Sequence, residues 1–389
     1  MEEYKSYKLS EVAKLSTGFP FDGSKYSKTG IRVVRGDNVT IGSLRWDSDK
    51  LKCWSEPFSR VAEYSLQDGD IVIGMDGSRV GRNRAQVTQS DLPLLLAQRV
   101  ACIRHNEKSV QDYLYYLIFS ERFVDYVKLV QTGTSIPHIS LKQIGDFEVR
   151  LPSIERQKSI CRILKSIDDK IALNNRINHN LLNLAQELFD NNIAENTCSH
   201  GSWRYASLLD IAEYLNGLAM QKYPVINGEL GLSVLKIKEL GQQACDANSD
   251  KCTKSIPEQY IVKDGDIIFS WSGTLLVDFW CGGICGLNQH LFKVSSDKYP
   301  DWFIYFWTKH HLDRFIRIAK DKAVTMGHIK RGDLGKAEVI IPDDAFMMEF
   351  NNEIAPLISE YIERRVENRK LQSLRDSLLP ELMSGQITC

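Results

Sequence analysis

The groups in this chain that could do chemistry come as pairs and small clusters. Asp68 and Asp70 flank Gly69, and Asp264 and Asp266 flank Gly265. Paired carboxylates can hold a divalent cation. Each pair, however, directly precedes an apolar run, Ile71–Ile73 or Ile267–Phe269, where Asp-Gly-Asp reads as a turn that launches a strand. Cys281, Cys285 and His290 offer sulfur and imidazole, but not at the spacing of a zinc finger, and a free cysteine packs as a small apolar residue. The chain has no Gly-Lys-Ser/Thr phosphate loop, no Asn-Pro-Pro-aromatic tetrapeptide and no His-Glu-x-x-His motif, so no catalytic residue and no metal site is expected. What stands out is a capacity to grip polyanions. Gly74–Arg84 reads GMDGSRVGRNR and carries Arg79, Arg82, Asn83 and Arg84 on three glycines. Arginine can pair bidentately with guanine and asparagine with adenine, and both can bind phosphate. Thr134, Ser135, His138 and Lys142 lie in a second polar segment, 131–142. Lys320, Lys322, His328, Lys330 and Arg331 lie in a third, 320–331.

The elements that must position these groups occur twice. Tyr64–Ser78 (YSLQDGDIVIGMDGS) and Tyr260–Thr274 (YIVKDGDIIFSWSGT) share six of fifteen residues. His138–Pro152 and His328–Pro342 also share six of fifteen, 190 residues apart. The matches keep their order, so the chain is a duplication with a period near 190. Each copy opens with a short amphipathic stretch (Leu9–Leu15; Leu208–Leu215) and continues with an extended segment (Ile31–Val34; Leu232–Leu235). The Asp-Gly-Asp strand follows, then one aromatic-rich helix (Val110–Val130; Tyr299–Ala319), a Gly-containing polar loop and a strand ending in proline (Phe147–Pro152; Ala337–Pro342). The expected class is therefore α+β, with two tandem mixed α/β halves. Strands and turns match between the copies better than the polar loops do, as in two readers of different sequences built on one scaffold.

After each proline the pattern changes to a long helix. Ile160, Leu164, Ile167, Ile171, Asn174, Asn178, Leu181, Ala185 and Leu188 follow alternating steps of four and three, a heptad seam. The second seam is Phe350, Ile354, Leu357, Tyr361, Arg364, Asn368, Leu371, Arg375 and Leu378. Asn178 and Asn368 share a polar slot of the repeat, and a buried Asn in a seam trades stability for register. No proline interrupts Ser153–Asn192 or Leu357–Leu379. At 1.5 Å per residue, roughly 35 residues span about 50 Å, too long for one half, so the two seams are expected to pack on each other as a spacer. The predicted boundaries are 1–152, 153–199, 200–342 and 343–389.

Composition fits a folded protein: 43% hydrophobic and 25% charged residues exclude a disordered or collagen-like chain. The start, MEEYKSYKLS, is too polar for a signal peptide, and apolar runs such as Leu92–Ala97 fall far short of a membrane span. A cytoplasmic protein with free thiols is expected. The net charge of −1 combines +2 in residues 1–152, 0 in 153–199, +1 in 200–342 and −4 in 343–389, so any contact with DNA must come from local clusters.

Three runs resemble one family: YKLSEVAKLSTGFPF, the DGDIVIGMDGS block, and GTSIPHISLKQIGDFEVRLPSIERQKSICRILKSIDDKIALNNRINHNL. The last is the most specific, with Leu151-Pro152, Glu155-Arg156-Gln157, Ile167-Asp168 and Asn174, Asn175 and Asn178 along one helix. These segments resemble the specificity (S) subunits of type I restriction–modification systems. The second copy keeps Ile341-Pro342 and Asn368 but lacks the Glu-x-Gln. The resemblance implies that each half is a target-recognition domain reading one part of a bipartite double-stranded DNA site. It implies that the two helices pack antiparallel as a coiled-coil ruler, and that helices and adjoining surfaces dock two methylase (M) subunits, joined by nuclease/translocase (R) subunits. S-adenosylmethionine, ATP and Mg²⁺ then belong to those partners. Two other readings remain open at this stage: a stand-alone DNA- or protein-binding scaffold of the same duplicated fold, and a metal-dependent enzyme using the Asp-Gly-Asp turns.

Overall fold

Every residue of the run Ile71-Val72-Ile73 is buried, and both faces of its strand are covered. Alternate side chains of a strand point to opposite faces. Ile71 and Ile73 join a core with helical residues such as Tyr113, Leu114, Phe123 and Val127. Val72 joins another with Val34, Leu94 and Leu96. An uninterrupted apolar run is what such a strand requires. The computed structural model describes residues 4–133, 135–194, 202–226, 228–321 and 327–387. The chain divides into two compact units, Met1–Ile167 with Leu374–Cys389, and Asp168–Ser373.

The strands of the first unit are β1 (Lys5–Lys8), β2 (Ala13–Thr17), β3 (Ile31–Val34), β4 (Cys53–Trp54), β5 (Ile71–Gly74), β6 (Arg84–Gln86), β7 (Leu94–Leu96), β8 (Val100–His105) and β9 (Glu148–Leu151). They form an antiparallel sheet of order β2-β8-β5-β6, a smaller sheet β4-β3-β7 whose β3 and β7 run parallel, and an antiparallel ribbon β1-β9. The helices are α1 (Leu9–Val12), α2 (Gln111–Ile118), α3 (Glu121–Val130), α4 (Leu141–Gly145) and α5 (Ile154–Phe189), the last crossing into the residues of the second unit.

The second unit repeats the plan. Its strands are β10 (Arg204–Ser207), β11 (Glu213–Asn216), β12 (Leu232–Leu235), β13 (Lys251–Cys252), β14 (Ile261–Val262), β15 (Ile267–Ser270), β16 (Leu276–Phe279), β17 (Cys285–Leu287), β18 (Leu291–Ser295) and β19 (Glu338–Ile341). The sheets β11-β18-β15-β16 and β13-β12-β17-β14 and the ribbon β10-β19 have the pairings of the first unit, including a parallel β12/β17 pair. Helices α6 (Leu208–Ile211), α7 (Ile237–Gln242), α8 (Asp301–His310), α9 (Leu312–Asp321), α10 (Arg331–Leu334) and α11 (Asp344–Ser384) complete it. Among the described residues no helix is long and apolar enough to cross a membrane.

The structure adds local detail to three expectations. The opening amphipathic stretch is a four-residue helix that turns into β2, or β11 in the repeat. The aromatic helix is two: Ser120 accepts the Phe123 amide and caps a new helix, so α2 stops and α3 begins. In the repeat, α8 and α9 are separated at His311. The last helix is longer than its proline-free window and runs through Pro356 and Pro380, each of which forgoes one intrahelical amide bond.

Candidate nucleic-acid interface

In each unit the structure joins two of the segments singled out from sequence. The turn after β5 meets the 131–142 segment: the Gly77 amide donates to the Pro137 carbonyl (2.9 Å) and the Ile139 amide to the Met75 carbonyl (2.9 Å). The repeat uses the same two bonds, Gly273 to Gly327 and Ile329 to Trp271, each 3.1 Å. Thr132 and His138 exchange both backbone bonds and close a small loop that presents Ile136, 65% exposed. Gly77 (φ +105°) and Gly133 (φ +92°) take conformations that side chains rarely adopt, which explains the glycines in both segments.

The joined loops form one wall of a cleft in the first unit. Asp76, Ser78, Arg79, Asn83 and Ile136 face Arg35, Asp37, Thr40 and Arg45, which follow the carboxyl end of β3. Arg45 donates to the Asp37 carbonyl (2.8 Å), and Arg35 donates to the Lys50 carbonyl (3.2 Å) beside the Tyr26 ring. The second unit has a cleft at the matching place, after β12 and before β18, lined by Lys236, Lys238, Lys251, Asn288, Gln289 and His290. Lys238 is 2.8 Å from Asp246, and Lys236 pairs with Asp250. Contacts of this kind at a wet surface are weak and can be exchanged for phosphate.

Side chains at and beside the two clefts differ at equivalent positions. Register places Arg99 and His290 one residue before β8 and β18, and Asp76 and Ser272 two residues after β5 and β15. In the first unit Arg99 lies 3.5 Å from the Asp76 carboxylate. In the second, His290 Nδ1 lies 3.1 Å from Ser272 Oγ, beside the Trp271 ring, whose indole donates to Asn216 (2.9 Å). One frame thus carries an acid–arginine pair in one unit and a hydroxyl–imidazole–indole group in the other.

The candidates from sequence divide by what their side chains touch. Arg79 is exposed on the cleft wall, its side chain meeting no acceptor among the described residues, and Asn83 lines the same wall. Arg82 forks onto Glu121 (3.0 and 3.3 Å). Arg84 is 6% exposed; its guanidinium donates to the Gly81, Phe119 and Ser120 carbonyls and covers the Phe119 ring. Burial pulls Arg84 down to about 10, still protonated at neutral pH. Its side chain therefore holds the loop rather than facing solvent. Arg84→Ala, which leaves three carbonyls short of a donor, is expected to lower the unfolding free energy by about 1–3 kcal/mol, whereas Arg79→Ala should stay within about 0.5 kcal/mol; urea denaturation of the two variants checks this.

Ser135 and His138 are exposed, and His138 Nε2 lies 2.9 Å from the Thr132 hydroxyl. Lys142 pairs with Asp146 (2.6 Å), whose carboxyl is held down at about 2 by Lys142 and Lys8. Lys320, His328, Lys330 and Arg331 are exposed, while Thr134 and Lys322 lie outside the described residues. The basic residues Arg35, Arg45, Lys236, Lys238 and Lys251 were not singled out from sequence, because they come from separate segments and form no local run. Arg35 and Lys236 do follow directly on the extended segments Ile31–Val34 and Leu232–Leu235, and that position is the signal available in the sequence.

The Asp-Gly-Asp turns serve structure. Asp70, 1% exposed, accepts the Gln67 amide (2.7 Å) and two bonds from Arg104 (2.7 and 2.6 Å). Asp266 accepts the Lys263 amide (2.7 Å) and pairs with Lys293 (2.8 Å). Gln157, from the most family-like run, is fully buried: it accepts the Val110 amide (2.9 Å) and donates to the Lys108 and Pro152 carbonyls.

In the first unit the seam residues Ile160 and Leu164 are fully buried and Ile167 nearly so, in a core that Leu378, Leu379 and Leu382 also enter. In the second unit Ile171, Asn174, Asn178, Ile354, Tyr361 and Asn368 are buried, with Leu181, Leu357 and Leu371 half-buried. Lys170 pairs with Glu367, and Arg364 donates to Asn174 (2.9 Å), so α5 and α11 run antiparallel there. Asn368 meets Asn174 (2.9 Å) and Asn175 (2.8 Å), while Asn178 finds no hydrogen-bond partner among the described residues.

Comparison with known proteins agrees with this architecture. Residues 1–183 match the family model of the type I restriction modification DNA specificity domain. The chain is 24% identical to the type I restriction enzyme MjaIX specificity subunit of Methanocaldococcus jannaschii, over 84% of this chain and 81% of that protein. It is 20% identical to the HindI specificity subunit of Haemophilus influenzae, over the full length of both. The crystal structure of a type I restriction–modification S subunit from M. genitalium shares the fold, with a TM-score of 0.62 at 13% identity over 98% of this chain and 96% of that one. Residues 1–183 thus carry the match to a type I restriction modification DNA specificity domain, and the chain along most of its length is similar to the specificity subunits of type I restriction enzymes.

Proposed function

We propose that each unit's cleft reads one half of a bipartite DNA target. The observation that carries this reading is the pair of clefts at equivalent places, each walled by basic residues and each bordered by a different side-chain pair, Asp76–Arg99 against Ser272–His290. Basic residues supply phosphate contacts that fix position, and the side chains that differ between the clefts supply base contacts that specify. The helices α5 and α11 set the interval between the half-sites and dock methylase subunits. The chain itself makes and breaks no bonds. S-adenosylmethionine, ATP and Mg²⁺ are bound by the methylase and nuclease/translocase partners, and the assembly works on DNA in the cytoplasm. The small net charge of the chain supports this division, because much of the electrostatic grip then comes from partners.

Replacing residues 1–152 with the matching part of a relative is expected to change one half of the methylated sequence and leave the other half unchanged, read by methylation sequencing of DNA from cells carrying the hybrid and its methylase. A change in both halves would show that the units do not read independently.

A further inference from the structure

Two thiols in the second unit are in contact. Cys245 Sγ lies 3.4 Å from Cys285 Sγ, and both cysteines are free. Cys285 is 1% exposed on β17, while Cys245 is half-buried on the segment between α7 and β13. The Cys285 thiol, hydrogen-bonded to its neighbour, lowers Cys245 below the usual cysteine range, so the more accessible sulfur is also the more readily ionised.

The segment that carries Cys245 also carries the acids of the second cleft. Asp246 holds Lys238 at 2.8 Å, and Asp250 holds Lys236. Both lysines line the cleft. To grip a phosphate, each must leave its carboxylate, and that exchange is easiest when residues 244–250 are able to shift.

We infer that Cys245 and Cys285 form an oxidisable pair whose disulfide ties the acidic 244–250 segment to β17 and weakens the hold of the second cleft on DNA. Hydrogen peroxide is the oxidant. The Cys245 thiolate attacks its O–O bond, giving a sulfenic acid and hydroxide, which takes up the thiol proton and leaves as water. Cys285 sulfur then displaces the sulfenic hydroxyl, forming the S–S bond, and with the Cys285 proton that hydroxyl leaves as a second water. Closing from 3.4 Å to the roughly 2.05 Å of a disulfide needs a shift of little more than an ångström from the half-buried segment. Thiol reductants reverse the step.

The test treats the full chain with hydrogen peroxide, blocks remaining thiols with iodoacetamide, and maps the peptides by mass spectrometry. The expected result is a linked Cys245–Cys285 peptide, absent in Cys245→Ser. Both cysteines remaining alkylated after peroxide, or Cys285 linked elsewhere, would overturn the pair. In the second arm, binding to a mixed-sequence DNA duplex is titrated against salt. With two phosphate contacts weakened, the log–log salt slope of the oxidised chain is expected to fall by up to about 1.8, to recover with dithiothreitol, and to be insensitive to peroxide in Cys245→Ser. This arm rests on the second cleft being a DNA contact, and Lys236→Ala/Lys238→Ala separates the two ideas. If the lysine variant lowers the slope but oxidation does not, the coupling is wrong and the cleft assignment stands. If the lysine variant changes nothing, the cleft assignment fails and the coupling with it.

Discussion

Asp278→Ala is expected to lower the unfolding free energy by about 3 kcal/mol. Asp278, on β16, accepts from both guanidinium nitrogens of Arg365 on α11 (2.9 and 3.0 Å), and the two side chains keep only 24 and 14% of their exposure. Burial pulls the Arg365 guanidinium down, yet the facing carboxylate holds it above the usual arginine range. Removing the acid leaves a charge in a half-dry site with, among the described residues, only the Tyr361 hydroxyl and the Phe279 carbonyl as remaining hydrogen-bond partners. Breaking a buried pair in this way costs about 3–5 kcal/mol, and the residual exposure of both groups favours the lower end. Domains are stable by only about 5–15 kcal/mol, so guanidinium denaturation resolves the loss easily. The neighbouring pair Asp264–Arg369 is bidentate but wetter, at 29 and 32% exposure. Asp264→Ala is therefore expected to cost no more than about 1 kcal/mol. Equal losses at the two sites would contradict the difference in burial.

The second large effect concerns binding. Arg79→Ala with Asn83→Ala is expected to weaken binding of the methylase-loaded subunit to its cognate duplex by roughly 30-fold to 25 000-fold, the span for two bidentate base contacts at about 1–3 kcal/mol each. Both residues line the wall of the first cleft without supporting the fold as Arg84 does. The loss should be confined to specificity for one half-site: duplexes altered in that half should bind the variant and the parent alike. Equilibrium binding to duplexes with one or the other half-site scrambled measures this. Unchanged cognate affinity would remove these two residues from the interface.

Much of this architecture is legible in the sequence because duplication shows the same physical constraints twice. The extended segments Ile31–Val34 and Leu232–Leu235 coincide with β3 and β12, since a short apolar run after polar residues has few alternatives in a sheet covered on both faces. The break between α2 and α3 was missed, because the apolar phase continues through Phe119 and Ser120 and only the serine's capping bond stops the helix. The clefts were half visible. Loops around Arg79 and His138 announce themselves by glycine and charge. Arg35, Arg45, Lys236 and Lys238 gain meaning only where the parallel strand pairs end beside those loops, a long-range fact that no local window contains. Arg84 shows the opposite failure: composition cannot separate an arginine that faces solvent from one that caps three carbonyls.

The ribbons β1-β9 and β10-β19 have an evolutionary consequence. In each copy the first strand pairs with the last, Lys5 opposite Leu151 and Arg204 opposite Ile341, so the chain leaves each copy beside the point where it came in. A segment whose two ends are hydrogen-bonded neighbours can be excised and replaced through two short junctions, leaving the flanking chain its path. Recombination within those junctions would exchange one whole copy for another in a single event. On the proposed function, with one half-site read by each copy, such an exchange yields a new combination of existing halves, without a succession of point mutations through intermediates that recognise nothing.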